Sequence, residues 1–241
     1  MAHVTRRRTA ASAGWGAMTE IAQRLRETII DKCRWMNASG LNQGTSGNIS
    51  VRDGETMLIT PSGVDYDVLT PEMIASMPLN AEDGRYDGPM KPSSEWHFHR
   101  DILRARPEVG AIVHTHSVYA TTLAMARRSI PACHYMIAAF GGNDIRCAAY
   151  ARFGTPELSR LAVEALDGRN GCLLANHGMI AIGPDLDKAM WLAVELETLA
   201  KQYYLSLAIG GPVLLTDAEM AEAHAGFATY GRAGPPKSAG T

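Results

Sequence analysis

The stretch "EWHFHRDILRARPEVGAIVHTHS" (residues 95–117) carries a His-x-His pattern twice, His97-Phe98-His99 and His114-Thr115-His116, in a chain with only eight histidines. Secondary structure separates the two pairs. Pro92, Ser93 and Ser94 form a capping signal for a helix running through Trp96, His99, Ile102 and Leu103. On a helix, residues two apart point about 200° away from each other, so His97 and His99 cannot share one ion. "VGAIVHTH" (109–116) is apolar and β-branched before it turns polar, as a core strand does on reaching an edge. On a strand, residues two apart share a face, so His114 and His116 present both imidazoles to one point.

The same alternation of helix and strand extends in both directions. From Glu20 to Asn37 the residues Ile21, Leu25, Ile29, Cys33 and Met36 form a helical stripe that ends near Gly40. "NISVRD" and "TMLITPSG" read as short strands divided by turn residues. Thr70-Pro71-Glu72 has the form of a helix start, and Thr155-Pro156-Glu157 repeats it for a helix expected to reach Leu166. "GCLLANHGMIAIG" (171–183) reads as two strands around Asn176-His177-Gly178. The longest helical pattern runs from Asp185 to Leu207, and the capping box Thr216-x-x-Glu219 opens a last helix. No repeat or linker divides the core, which implies one α/β domain.

Composition narrows the function classes. A length of 241 residues suffices for one large core, and a net charge of −2 offers no electrostatic case for nucleic acid or a membrane surface. No apolar run approaches the roughly 20 residues of a membrane helix. The four cysteines show no pairing framework, which fits reduced thiols in a soluble cytoplasmic protein. "MAHVTRRRTAASAGWGAM" has no acid and no apolar signal core, so residues 1–17 are expected to be a disordered extension. Residues 18–231 are expected to form the domain and 232–241 a flexible tail.

Candidate chemistry gathers around the second histidine pair. Taken alone, His114 and His116 fit two hydrogen-bonded strand histidines as well as they fit two ligands. His177, in its tight turn, adds a third imidazole, and three imidazoles with an open fourth position is the arrangement of a catalytic zinc. Glu95, one or two residues inside a helix N-terminus, is favoured as the anion, and beside a metal it can serve as ligand or base. Three segments are dense in hydroxyl and glycine residues: "GTSGN" (44–48), "TPSG" (60–63) and "PSSE" (92–95). None matches a phosphate-binding loop motif, and each alone is an ordinary turn. Together they can offer hydroxyls and backbone N–H groups to a phosphate.

Glu95, His114, His116, Tyr135 and His177, with "LNQGTSGNISV", "LITPSG", "PSSEWHFH", "HYMIAAFGGN", "YARFGT" and "NHGMIAIG", make a chain that resembles the class II aldolases of the aldolase/adducin family. The likeness covers about residues 20 to 231. It implies a single domain with a central, mainly antiparallel β-sheet flanked by helices on both faces. It also implies one Zn2+ per subunit held by His114, His116 and His177, with Glu95 as fourth ligand in the resting enzyme. Thr45, Asn48, Ser62, Gly63, Ser93 and Ser94 are the implied phosphate pocket. Glu95 and Tyr135 are the implied catalytic residues, Tyr135 reaching a neighbouring subunit's site in a cyclic homotetramer. Phe153 and Tyr230 are implied on the aldehyde side.

The implied reaction is reversible cleavage of a ketose 1-phosphate, L-fuculose 1-phosphate or a related sugar phosphate. The products are dihydroxyacetone phosphate and a short aldehyde, formed through a metal-stabilised ene-diolate. The alternative on the same fold is a ribulose-5-phosphate 4-epimerase, in which an aspartate stands where Glu95 stands here, or a related dehydratase or decarboxylase. A non-catalytic adducin-like head would lack the full ligand set.

Overall fold

The computed structural model describes residues 19–229. The expected extension (1–17) and tail (232–241) lie outside them. Helix α1 (Glu20–Ser39) begins where the Oγ1 of Thr19 accepts from Ala22 N at 3.1 Å, and it ends at Gly40, whose φ of 77° closes the cap. Its buried stripe is Ile29, Cys33 and Met36 with Ala22 and Ile30, whereas Ile21 is 70% exposed. The apolar face is thus rotated slightly from the expected one.

Strands β1 (Asn48–Asp53), β2 (Thr56–Ile59) and β3 (Ala75–Pro78) form an antiparallel meander. The helix signal at Thr70-Pro71-Glu72 yields only a single 3₁₀ turn, Pro71–Met73. The chain from Ala75 is claimed by pairing with β2, and that ladder overrides the local signal. Then follow α2 (Trp96–Ala105), β4 (Ala111–Thr115), α3 (Val118–Met125), β5 (Cys147–Ala148) and α4 (Pro156–Ala165). Strands β6 (Gly171–Leu174) and β7 (Gly178–Gly183) and helices α5 (Leu186–Leu207) and α6 (Asp217–Thr229) complete the fold. Among the described residues no helix is long and apolar enough to cross a membrane.

The seven strands form one sheet in the order β3-β2-β1-β4-β7-β6-β5, antiparallel at every pairing but β5–β6. Strand β4 lies at its centre, and the two-residue period sends its side chains into two cores. Ala111 and Val113 pack in the layer of α1, α3, α5 and α6, while Ile112 packs in the layer of α2 and α4. Continuing that period, His114 comes up on the α2 side, edge-on to Phe98 with ring centroids 5.5 Å apart. The three-layer arrangement matches the expected architecture.

Strand β4 runs out at Thr115 and the chain turns directly into α3. Ser117 occupies the N-cap but makes no side-chain cap bond. Glu197 on α5 substitutes for it, accepting from the backbone N–H groups of Tyr119 (2.9 Å) and Ala120 (2.8 Å). A carboxylate there also meets the positive end of the helix dipole. This long-range cap sets the point at which the chain leaves the sheet beside His116. Glu197→Ala is expected to lower stability by about 1–2 kcal/mol. Urea unfolding should show this as a lower midpoint at unchanged m-value, and an unmoved midpoint would refute the capping role.

Candidate metal centre

The pairing of β4 with β7 sets Thr115 opposite Met179 and leaves His177, in the turn just before β7, beside His116. The rings of His114, His116 and His177 lie edge-on to one another with centroids 4.9 to 5.0 Å apart. One nitrogen from each falls within 4.8 Å of the other two. Gly178 makes this approach possible. A Cβ there would sit 2.5 Å from Thr115 O and 2.8 Å from His116 Cδ2, so a larger residue would push the turn off the histidine pair.

The chemistry of the donors tests whether a cation fits. His114 Nδ1 lies 2.9 Å from Met179 O, and a carbonyl can only accept, so Nδ1 carries the proton. The lone pair of the neutral ring is then at Nε2. That atom lies 3.1 Å from His116 Nε2 and 3.2 Å from Glu95 Oε2. Glu95 Oε1 in turn lies 3.1 Å from His177 Nε2. Burial first, then the neighbouring His114 and His177 rings, pull His116 down to about 4, which keeps it neutral. Burial acts to raise the Glu95 carboxyl; positive charge lying between it and the His114 and His177 rings, a proton or a bound cation, outweighs burial and holds it well below the usual carboxylate range. Three imidazoles converging on a buried carboxylate suit a divalent metal ion.

Glu95 does not sit inside the helix as its sequence position suggested. It is the N-cap residue of α2, with φ −99° and ψ 13°, and its side chain makes no cap bond. The carboxylate reaches instead to Asn48 Nδ2 at 3.0 Å and to the imidazoles. Behind Asn48 stands His99. Its Nε2 donates to Asn48 Oδ1 at 2.6 Å, and its Nδ1 accepts from Ser50 Oγ at 2.7 Å. This bridge fixes the amide so that its N–H₂ faces Glu95. His97 stacks on Trp96 instead, with centroids 3.8 Å apart, so the helix splits the first histidine pair as expected. The supporting role of His99 was missed from sequence. Its signal was a histidine on the buried face of a helix opposite polar Asn48 and Ser50 on alternate positions of a core strand.

The three hydroxyl-rich turns converge on one cavity of about 440 Å³. Thr60 ties them together: its Oγ1 accepts from Ile49 N at 3.2 Å and its carbonyl accepts from Ser93 N at 2.8 Å. Thr45, Ser62, Gly63 and Ser94 line the cavity with Glu95, His116 and His177. Asn48 and Ser93 do not line it. They are buried behind Glu95, Asn48 on its carboxylate and Ser93 Oγ accepting from its N–H at 3.3 Å. Phe153 and Tyr150, both largely exposed, line the cavity as well. The loop carrying Phe153 is seated by Gly154, where a Cβ would lie 2.8 Å from Ser94 O. Tyr150 belongs to the quoted "YARFGT" but was not singled out.

Tyr135 is absent from this cavity. It opens a 3₁₀ turn (Tyr135–Phe140), is 56% exposed and stacks on His134 and Phe227. Tyr230 lies outside the described residues. A larger groove of about 600 Å³ runs between α1 and α5 past Trp35 and Trp191, and its Lys32 and Asp187 pair with each other at 2.6 Å.

Residues 27–204 match the model of the class II aldolase and adducin N-terminal domain. The chain belongs to this family and is a class II aldolase, a carbon–carbon lyase; class II aldolases are metal-dependent. Among characterised proteins it is 53% identical to the 5-methylthioribulose-1-phosphate/5-deoxyribulose-1-phosphate aldolase of Rhodospirillum rubrum over 207 residues, 86% of this chain and 92% of that one. It is 49% identical to the L-fuculose phosphate aldolase of Escherichia coli K12 over 209 residues, 86% of this chain and 96% of that one. A solved L-fuculose 1-phosphate aldolase superposes with a TM-score of 0.83 at 38% identity, covering 88% of this chain and all of that one.

Full burial, then the nearby His114 ring, pulls His99 down to about 3. The unfolded histidine titrates near about 6.5, so below that pH the unfolded chain binds a proton that the folded one refuses. The contribution of neutral His99 is therefore complete above about pH 6.5 and is lost as pH falls towards 3. His99→Gln, which retains a donor and an acceptor, is expected to lose less stability than the wild type between pH 7.5 and pH 5. Urea midpoints at the two pH values check this, and equal losses in both proteins would refute it.

Proposed function

We propose that the chain is a zinc-dependent aldolase that cleaves a ketose 1-phosphate reversibly into dihydroxyacetone phosphate and a short aldehyde. The observation that carries this reading is the meeting of three imidazoles and one buried carboxylate at a cavity walled by three hydroxyl-rich turns. His114, His116 and His177, with Glu95, would hold the ion. A divalent cation held there supplies Lewis acidity to negative charge developing beside the ketose carbonyl.

The chain's own residues do the rest. Thr45, Ser62, Gly63 and Ser94 bind the phosphate through hydroxyls and backbone N–H groups. Asn48 and Ser93, expected as direct phosphate contacts, act by holding Glu95 in place. Glu95 moves the proton at C3. In synthesis its carboxylate takes that proton from dihydroxyacetone phosphate, and in cleavage it returns the proton after the C3–C4 bond has broken. The C4 hydroxyl, which becomes the aldehyde oxygen, gives its proton to Tyr135 of the partner subunit in a homotetramer. The exposure of Tyr135 outside its own cavity supports service to a neighbour.

The sugar phosphates for which the relatives are named share the dihydroxyacetone phosphate half and differ in the aldehyde. Phe153 and Tyr150 give that end an aromatic rim, which supports aldehydes ending in a methyl or thioether group. Glutamate rather than aspartate at position 95 favours aldolase over epimerase, because the extra methylene lets the carboxylate swing to C3.

A panel of L-fuculose, 5-deoxyribulose and 5-methylthioribulose 1-phosphates, coupled to detection of dihydroxyacetone phosphate, is expected to show cleavage of at least one. L-Ribulose 5-phosphate should yield no D-xylulose 5-phosphate. The reverse pattern would establish the epimerase. Chelation should abolish cleavage and Zn2+ should restore it, whereas full activity in metal-free protein would overturn the metal requirement. Glu95→Gln is expected to retain one metal ion per chain and to lose about 10²-fold or more in kcat. Near-normal cleavage by this variant would remove Glu95 from the role of base.

A further inference from the structure

Two non-glycine residues among those described have positive φ, Arg127 (52°) and Asn176 (55°). They are bonded to each other, Arg127 Nε donating to Asn176 Oδ1 at 3.0 Å. Asn176 directly precedes His177. Left-handed backbone is unfavourable for a residue with a side chain. Such strain persists where its surroundings over-determine it, and it gathers at functional sites.

The end of α3 shows why an arginine accepts it. Arg128 N donates to Leu123 O and Arg127 N to Ala124 O, both at 3.0 Å, which is the paired bonding of a Schellman cap. Arg127 holds the cap position that usually belongs to glycine. What arginine has there and glycine lacks is a guanidinium, and that group goes to Asn176. Asn176 binds back to the same helix end, its N–H donating to Ala124 O at 2.9 Å and its Nδ2 to Met125 O at 3.4 Å. Three hydrogen bonds thus tie the residue before His177 to the C-terminus of the helix that follows His116. His114 is oriented through its own ring, by Met179 O. Among the described residues the His177 ring makes no such bond outside the cluster, so its aim is set through its backbone.

We propose that Arg127 and Asn176 are positioning residues for His177, clamping its turn at the angle that closes the imidazole trio and so raising metal affinity without touching the ion. This rests on the reading that the three histidines hold the metal.

Zn2+ titration of chelated full-length protein by calorimetry, with thermal unfolding of the same samples, tests it. The set comprises wild type, Arg127→Gly, Asn176→Gly, the double variant and His177→Ala. Glycine accepts positive φ at both sites, so the backbone is retained, and Arg127→Gly should not lower the Tm of the metal-free protein. Each single glycine variant is expected to bind Zn2+ about tenfold more weakly. The double variant should bind no more weakly than the worse single, because both changes break one clamp.

Wild-type affinity in Arg127→Gly would overturn the clamp and leave the metal reading standing. Additive losses in the double variant, or an affinity loss that only tracks a fall in metal-free Tm, would overturn it too. If the wild type binds no Zn2+, or His177→Ala binds it equally well, the metal reading falls and the clamp falls with it.

Discussion

The lone pair of His114 Nε2 faces the Glu95 carboxylate across 3.2 Å of buried space, and much of the molecule serves to keep it there. Two electron-rich groups in that geometry repel unless a cation or a proton lies between them. The sheet supplies the stiffness to hold them. His114 is placed by the central strand, with β1 on one side and β7 on the other, and Met179 on β7 sets its tautomer. Glu95 arrives from the helical layer that this face of the strand packs against, as the N-cap residue of α2, and Asn48 on β1 receives it.

Around this contact the polar residues divide into those that meet the cavity and those that stand behind it. Ser62 and Ser94 open onto the solvent side, where a phosphate can enter. Asn48, Ser50, Ser93 and His99 are buried, and each spends its hydrogen bonds on another member of the network. A buried polar group without a partner is costly, so such a network specifies one arrangement. Under the proposed function, this rigidity suits the half of the substrate that stays constant. The aromatic rim of Tyr150 and Phe153 is exposed and outside this network, and under the proposed function it is the part that can vary with the aldehyde.

The same economy governs the ends of α3. Its N-terminus is capped from α5 by Glu197, and its C-terminus accepts hydrogen bonds from the turn that carries His177. A helix of only eight residues thereby joins the segments bearing His116 and His177. Backbone strain at Arg127 and Asn176 is tolerated because both residues are tied on several sides.

Local signals were legible where one residue type in one periodicity has one consequence. The two-residue period of β4 put His114 and His116 on one face, the turn at Asn176-His177-Gly178 was visible between two apolar runs, and the caps at Thr155 and Thr216 follow from short-range hydrogen bonding. Other readings failed because they needed partners distant in sequence. Thr70-Pro71 looked like a helix start until β3 paired with β2, and Glu95 looked like an acid favouring a dipole until the Asn48 amide and two imidazoles drew it away. The sequence by itself determined the alternation of elements, the strand that carries His114 and His116, and the chemical types available. Tertiary structure alone decided which hydroxyls face the cavity, which stand behind the carboxylate, that His99 backs Asn48, and that Arg127 bonds to Asn176. Those outcomes depend on hydrogen bonds between residues some 50 positions apart, and no local periodicity carries them.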